Sequence, residues 1–247
     1  MNFFSLKAAF QRTLVITRKE LCSWLFSPAL YGIAVFFLLF ISIWFYYLQS
    51  FFAMNTATLI PFVEGFPLAF ILIVPALTMK AWAEEKKLGS MEILLTYPFS
   101  EWELVLGKFI ACLAILFAFV LLTVPVPLTL SALAHFDPGV TVAEYAGILL
   151  LGASALALGL LLSSISRNQA AAFIGSVVVL LAVMLANNFT QRLPSSFADL
   201  INYVSLSFHF ESFSRGLLDT RDVAFFLLST FLFLFINTRV LIFRRWN

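Results

Sequence analysis

Apolar residues dominate six stretches of this chain, at residues 29–48, 65–79, 109–133, 145–165, 170–189 and 223–238. About 20 helical residues cover the roughly 30 Å hydrocarbon core of a bilayer. The pattern therefore predicts an all-α integral membrane fold with six transmembrane helices. The second stretch is short, but Phe62 and Trp82 can extend it while Lys80 snorkels to the interface. Ser166, Arg167, Asn168 and Gln169 alone separate the fourth and fifth stretches, which predicts a tight helical hairpin, with one bent or re-entrant element as the alternative. Pro75 is expected to kink the second span, and Pro125 and Pro127 the outer half of the third.

Composition agrees with a membrane class. Of 247 residues, 62% are hydrophobic and 11% charged, against roughly 25% charged in soluble domains. The net charge of +2 conceals a polarised distribution. With the N-terminus in the cytoplasm, the inner segments hold twelve basic residues: Lys7, Arg12, Arg18, Lys19, Lys80, Lys86, Lys87, Lys108, Arg167, Arg239, Arg244 and Arg245. The outer segments hold three, Arg192, Arg215 and Arg221. This bias places both termini in the cytoplasm. Topology and anionic headgroups explain the basic residues, so nucleic acid is not an expected partner and membrane lipids are. Charges persist as far as Glu20, which argues against a cleavable signal peptide. Cys22 falls at the inner surface and Cys112 within a span, so no structural disulfide is expected.

Two polar segments carry more information. Residues 1–27 read as an interfacial helix, with Phe3, Leu6, Phe10, Leu14, Leu21 and Trp24 near one face and Lys7, Arg12, Arg18 and Lys19 on others. Residues 80–108 form a charged cytoplasmic region in which Leu88, Met91, Leu94 and Leu95 stripe a short helix. Pro98 ends that helix, and Ser100 with Glu103 forms a capping box that starts a new one. A short helix held across the end of a bundle is a handle by which a partner can tilt the attached spans.

The run Glu84-Glu-Lys-Lys-Leu-Gly-Ser-Met-Glu-Ile-Leu-Leu-Thr-Tyr-Pro-Phe-Ser-Glu-Trp-Glu-Leu-Val-Leu-Gly-Lys108 resembles the coupling region of type-2 ABC exporter permeases, most of all the branch that includes the gliding-motility-associated permeases of bacteria. Residues 17–28 resemble that branch's approach to its first span, and residues 213–222 its lead-in to the last. The resemblance implies a permease subunit in the bacterial inner membrane, with two such subunits paired over a separate ABC ATPase dimer. ATP and Mg2+ would be bound by that ATPase, with no cofactor, metal or catalytic residue in this chain. Residues 84–97 would be the coupling helix, docking through Glu84, Glu85, Lys86, Lys87, Leu88, Gly89, Met91, Glu92 and Leu95. Residues 1–27 would be the elbow helix, carrying Lys7, Arg12, Arg18, Lys19 and Trp24. The external segment 190–222 would dip partly into the outer leaflet across 193–218; an ordinary loop is the alternative. The second permease is expected to be a distinct chain with an external domain, a homodimer being the other option.

The residues themselves exclude several classes. No G-x-x-x-x-G-K-[S/T] phosphate loop is present: Gly107-Lys108 has Trp102 where glycine is needed and Phe109 where Ser or Thr should follow. The chain is therefore not expected to be an enzyme by itself. The six stretches contain no Asp, Glu, Lys, Arg or His, which argues against an ion-coupled carrier or small-ion permease. His209 and Glu211 are too few for a metal site. A membrane anchor that lets an ATPase work on an envelope protein, moving no substrate, shares every feature above. Small-x-x-x-small spacing at Ala155/Gly159 and Ala171/Gly175 predicts close packing of spans four and five, or a dimer seam.

Overall fold

The computed structural model describes residues 3–49, 59–89, 99–131, 137–189 and 202–245, all helical or in short connections, with no strand among them. Among the described residues ten α-helices follow in order, α1 Phe3–Leu25, α2 Pro28–Ile43 (continued by a π-helical turn, Trp44–Leu48), α3 Ile60–Val63, α4 Gly65–Lys87, α5 Glu101–Leu121, α6 Pro125–Ser131, α7 Pro138–Ile165, α8 Gln169–Phe189, α9 Leu206–Ser214 and α10 Thr220–Arg245. Six units are long and apolar enough to span a bilayer: Pro28–Leu48, Ile60–Lys87, Glu101–Ser131, Pro138–Ile165, Gln169–Asn187 and Thr220–Phe243.

These helices outrun the apolar stretches at most ends, because helix continues into water until a cap or breaker stops it. α4 runs on to Lys87, and Gly89 ends it in the left-handed region at φ 69°. Such a φ suits glycine, which has no Cβ to clash with its own carbonyl. Residues 84–87 are thus the last turn of α4 rather than part of a separate short helix. Met91, Glu92 and Leu95, and the rest of 90–98, lie outside the described residues. So do His135, Arg192, and residues 190–201 of the segment after α8.

At the start of α5 the expected capping box is present. The Ser100 hydroxyl accepts from the Glu103 amide at 3.3 Å, and the Glu103 carboxylate accepts from the Ser100 amide at 3.0 Å. Ser100→Ala is expected to cost about 1 kcal/mol, read as a lowered Tm in detergent. At the other end of this span the prolines break the helix rather than kink it. Leu122–Val124 interrupt it and Pro125 opens α6, where its missing N–H costs nothing. Pro75 sits inside a continuous α4.

α7 is the central helix. In its most apolar stretch 72% of residues are buried, against 22% for both α2 and α8. Its most extensive contacts are with α10 and α4. Small residues make this possible: a Cβ on Gly152 would lie 2.3 Å from Leu116, and one on Gly159 2.6 Å from Thr78. Spans four and five do pack against each other, but not through the whole expected set Ala155, Gly159, Ala171 and Gly175. Ala155 is buried, but Gly159 faces α4, Ala171 is exposed, and a Cβ on Gly175 would meet nothing within 4 Å. Spacing marks a smooth face; it does not name the helix that meets it.

Aromatic rings fill the seam between α2, α4 and α5. Phe37 stacks on Phe119 at 5.9 Å and meets Phe66 edge-on at 6.0 Å, while Phe62 packs edge-on against Phe66 at 5.4 Å and Phe45 at 5.5 Å. Lipid removes most of the hydrophobic drive between spans, so such close contacts and their ring geometry carry much of the association.

The described part of the segment after α8 is not a free loop. α9 packs on α7, α8 and α10, and buries Phe210 and Phe213. Phe213 touches Gly147, roughly 13 Å along α7 from Pro138. The ionisable residues also sit differently from expectation. Glu144 is buried in the second turn of α7 and Asp222 in the first turn of α10, because both helices begin before their apolar stretches.

Candidate functional site

Three helices converge at the end of the bundle that carries Lys108. α1 packs against α5, closely at Gly107. Ile16 occupies the space a side chain would need there: a Cβ on Gly107 would fall 2.6 Å from Ile16 Cγ2. The Thr17 hydroxyl lies 2.9 Å from the Thr13 carbonyl and 3.2 Å from the Gly107 carbonyl, tying α1 to α5 at the same level.

The face of α1 turned to the bundle is not its apolar stripe. Ile16 and Trp24 are buried and Glu20 is partly buried, whereas Phe10 and Leu14 are 68% and 53% exposed. Helical spacing puts Phe10, Leu14, Leu21 and Leu25 within roughly 60° of one another. A polar residue, Glu20, is thus spent on the protein, and most of the apolar stripe is left for another medium.

Glu20 explains this. Lys108, 2% exposed, sends its ammonium between Glu20 Oε1 at 2.9 Å and Glu85 Oε1 at 2.8 Å. It also lies 4.9 Å from the Trp82 ring centroid. One buried cation therefore joins α1, the last turn of α4 and the second turn of α5. Lys19 stands 3.9 Å from Glu85 and 4.0 Å from Glu20 at the exposed rim, so two cations balance two carboxylates. Burying such a group is costly in itself, and removing either partner would leave the other charge buried without its compensation. A second tie runs from Arg12 to Glu103 at 3.0 Å, using the carboxylate oxygen that the capping box leaves over. A cavity of about 420 Å³ opens beside the cluster, lined by Glu20, Trp24, Lys80, Glu84, Glu85 and Lys108 among others.

Lys86, roughly 100° round the helix from Glu85, serves a different partner. Its ammonium meets the carbonyls at the C-terminal end of α7: Ser166 at 2.9 Å, Ser163 at 3.5 Å, and Ser164. The Ser163 hydroxyl in turn lies 3.3 and 3.4 Å from the Trp82 and Ala83 amides of α4.

The expected docking residues thus divide. Glu85 and Lys86 point into the bundle, Glu84 is partly buried, and Lys87, Leu88 and Gly89 face outward. Of the expected elbow residues, Lys19 joins the charge cluster at its edge, Arg12 pairs with Glu103, Trp24 lies under Lys80 at 5.3 Å, and Arg18 is exposed. Lys7 has no described side chain. Glu20, Glu103, Gly107 and Lys108 were absent from the expected site. Glu20 was findable, being the only acid among the first 27 residues. Gly107 offered no signal beyond being small.

At the other end, His209 pairs with Asp222 at 2.7 Å rather than with Glu211, which pairs with Arg215. No group of three or more His, Cys, Asp or Glu positioned to hold a metal occurs among the described residues.

The family model for ABC-2 family transporter proteins matches residues 14–236, from within α1 to within α10. This chain belongs to the ABC-2 transporter family. No curated protein matches it. As an ABC-2 transporter it is a multi-pass membrane protein, the transmembrane subunit of an ABC transporter, and it associates with an ABC ATPase. Members of the family are membrane subunits and not ATPases. The match takes in the Lys108 cluster and the Lys86 contacts alike, and Arg12 lies just ahead of it.

Proposed function

We propose that this ABC-2 subunit is driven by a separate ATPase dimer that grips the segment following α4, and that the Glu20–Lys108–Glu85 cluster passes the resulting force to α1 and α5. The observation that carries this reading is the burial of Lys108 between carboxylates from two other helices, immediately beside the outward-facing Lys87, Leu88 and Gly89. A handle needs a firm root, and a buried cation held by carboxylates from two other helices supplies one.

In this reading the Lys108 end lies in the cytoplasm, as the distribution of basic residues supports. α1 is then an elbow helix on the membrane surface, with Phe10 and Leu14 in the headgroup boundary. The complex is an exporter of the bacterial inner membrane, of the gliding-motility type, and its second permease is a distinct chain with an external domain. ATP and Mg2+ bind the ATPase. The segment around α9 is partly re-entrant, which its close packing against α7, α8 and α10 favours.

Single cysteines test both orientation and docking, in a background with Cys22 and Cys112 replaced by serine. Leu88 is 71% exposed and Val142 is 69% exposed. Leu88→Cys and Val142→Cys are expected to react with an impermeant maleimide from opposite sides of sealed vesicles. Leu88→Cys is also expected to cross-link to the ATPase in the purified complex. Same-side labelling would reject the topology, and absence of the cross-link would reject the docking role.

A further inference from the structure

We propose that Lys86 is the positioning residue that carries movement of the segment after α4 into the hairpin of α7 and α8. The inference rests on the docking reading above and adds a second output to it.

The last carbonyls of any α-helix lack intrahelical partners. At the end of α7 they are met by a cation from another span, 77 to 80 residues away in sequence. An ammonium suits this place twice over. It has three donors for the Ser163, Ser164 and Ser166 carbonyls, and its charge complements the negative end of the α7 dipole. The Ser163 hydroxyl adds a second contact, lying within reach of two amides of α4 and 3.4 Å from the Met79 carbonyl.

The hairpin is short. α7 ends at Ile165 and α8 begins at Gln169, with the Asn168 side chain accepting from the Ala171 amide at 2.8 Å. Whatever holds the end of α7 therefore also holds the start of α8. Consecutive residues of α4 thus serve different partners: Glu85 ties to α5 and α1, and Lys86 to α7 and α8. Both stand within four residues of Gly89, where α4 ends and the proposed docking segment begins. A pull on that segment divides at 85 and 86. One branch reaches the elbow and third span, the other the fourth and fifth.

The experiment uses the complex purified with its ATPase, in the cysteine-free background, with a bimane fluorophore at Leu88→Cys or Arg167→Cys. Leu88 reports the handle and the exposed Arg167 reports the hairpin. Both labels are expected to shift in emission when ATP and vanadate trap the ATPase. With Lys86→Met, the Leu88 shift is expected to persist and the Arg167 shift to fall at least twofold. Lys86→Arg is expected to restore it, since guanidinium can also reach the three carbonyls, and that rescue separates positioning from a general loss of folding. An Arg167 shift unchanged by Lys86→Met, with the Leu88 shift intact, overturns the role of Lys86 and leaves docking standing. Absence of a Leu88 shift in the parent complex overturns docking and this inference together.

Discussion

Lys108→Met is expected to lower the Tm of the purified protein by roughly 10 °C. The substitution keeps most of the side-chain volume and removes the cation. Glu20 and Glu85, each 16% exposed, then lose the ammonium that sits between them, while Lys19 remains at the exposed rim. Breaking a buried pair by removing one partner costs about 3–5 kcal/mol, since the remaining charge loses its compensation. Removing the charges as a set is different. A triple variant, Glu20→Gln, Glu85→Gln and Lys108→Met, leaves no uncompensated charge and is expected to recover most of the lost Tm. If Lys108→Met melts like the parent, or the triple variant melts no higher than the single one, the cluster does not hold the three helices as described. The triple variant separates function from stability: it should fold, yet respond to the ATPase poorly, because a neutral contact no longer fixes α1, α4 and α5 in one arrangement.

The second large effect is steric. Gly107→Ala is expected to destabilise by about 1–3 kcal/mol, the usual cost of overpacking, and to speed tryptic cleavage of α1 in detergent. The new Cβ would sit 2.6 Å from Ile16 Cγ2, 2.8 Å from Ile16 Cβ and 3.3 Å from the Thr13 carbonyl oxygen. Truncating Ile16 to alanine leaves the second and third of these contacts, so α1 must move away from α5. Gly175→Ala is the control. A Cβ there meets nothing within 4 Å, and alanine in a helix interior is favoured over glycine by roughly 0.5–1 kcal/mol. The two substitutions are chemically identical and should change stability in opposite directions. Equal effects would mean that α1 does not pack against α5 at Gly107.

Both predictions concern residues whose importance the sequence showed only dimly. Lys108 was one of twelve inner basic residues, and nothing local tells that its partners are Glu20 and Glu85, 88 and 23 residues away. Along the chain, Glu85 and Lys86 look alike as docking residues. The structure directs them, roughly 100° apart on α4, toward different helices. By contrast, Ser100 and Glu103 were legible because a capping box is satisfied within one turn. The prolines at 125 and 127 were legible as a disturbance, though whether they kink or break the span depended on how Leu122–Val124 could be accommodated. Thr123 answers that through its bond to the Val120 carbonyl and its contact with the Tyr145 hydroxyl at 3.1 Å.

Hydrophobic run length and cap chemistry alone determined the six spans, the α5 start and the all-helical class, because bilayer thickness and helix-end hydrogen bonding act on neighbouring residues. They also marked where smooth helix faces occur. Tertiary structure decided which neighbour each face meets: Gly159 against Thr78, Gly107 against Ile16, and Gly175 against open space. It also decided that Lys108 would be buried between two carboxylates and that Lys86 would hold the end of α7. The reason is that in a bundle of uniformly apolar helices, sequence period reports rotation about one axis. The choice of partner depends on volumes and charges contributed by several helices at once.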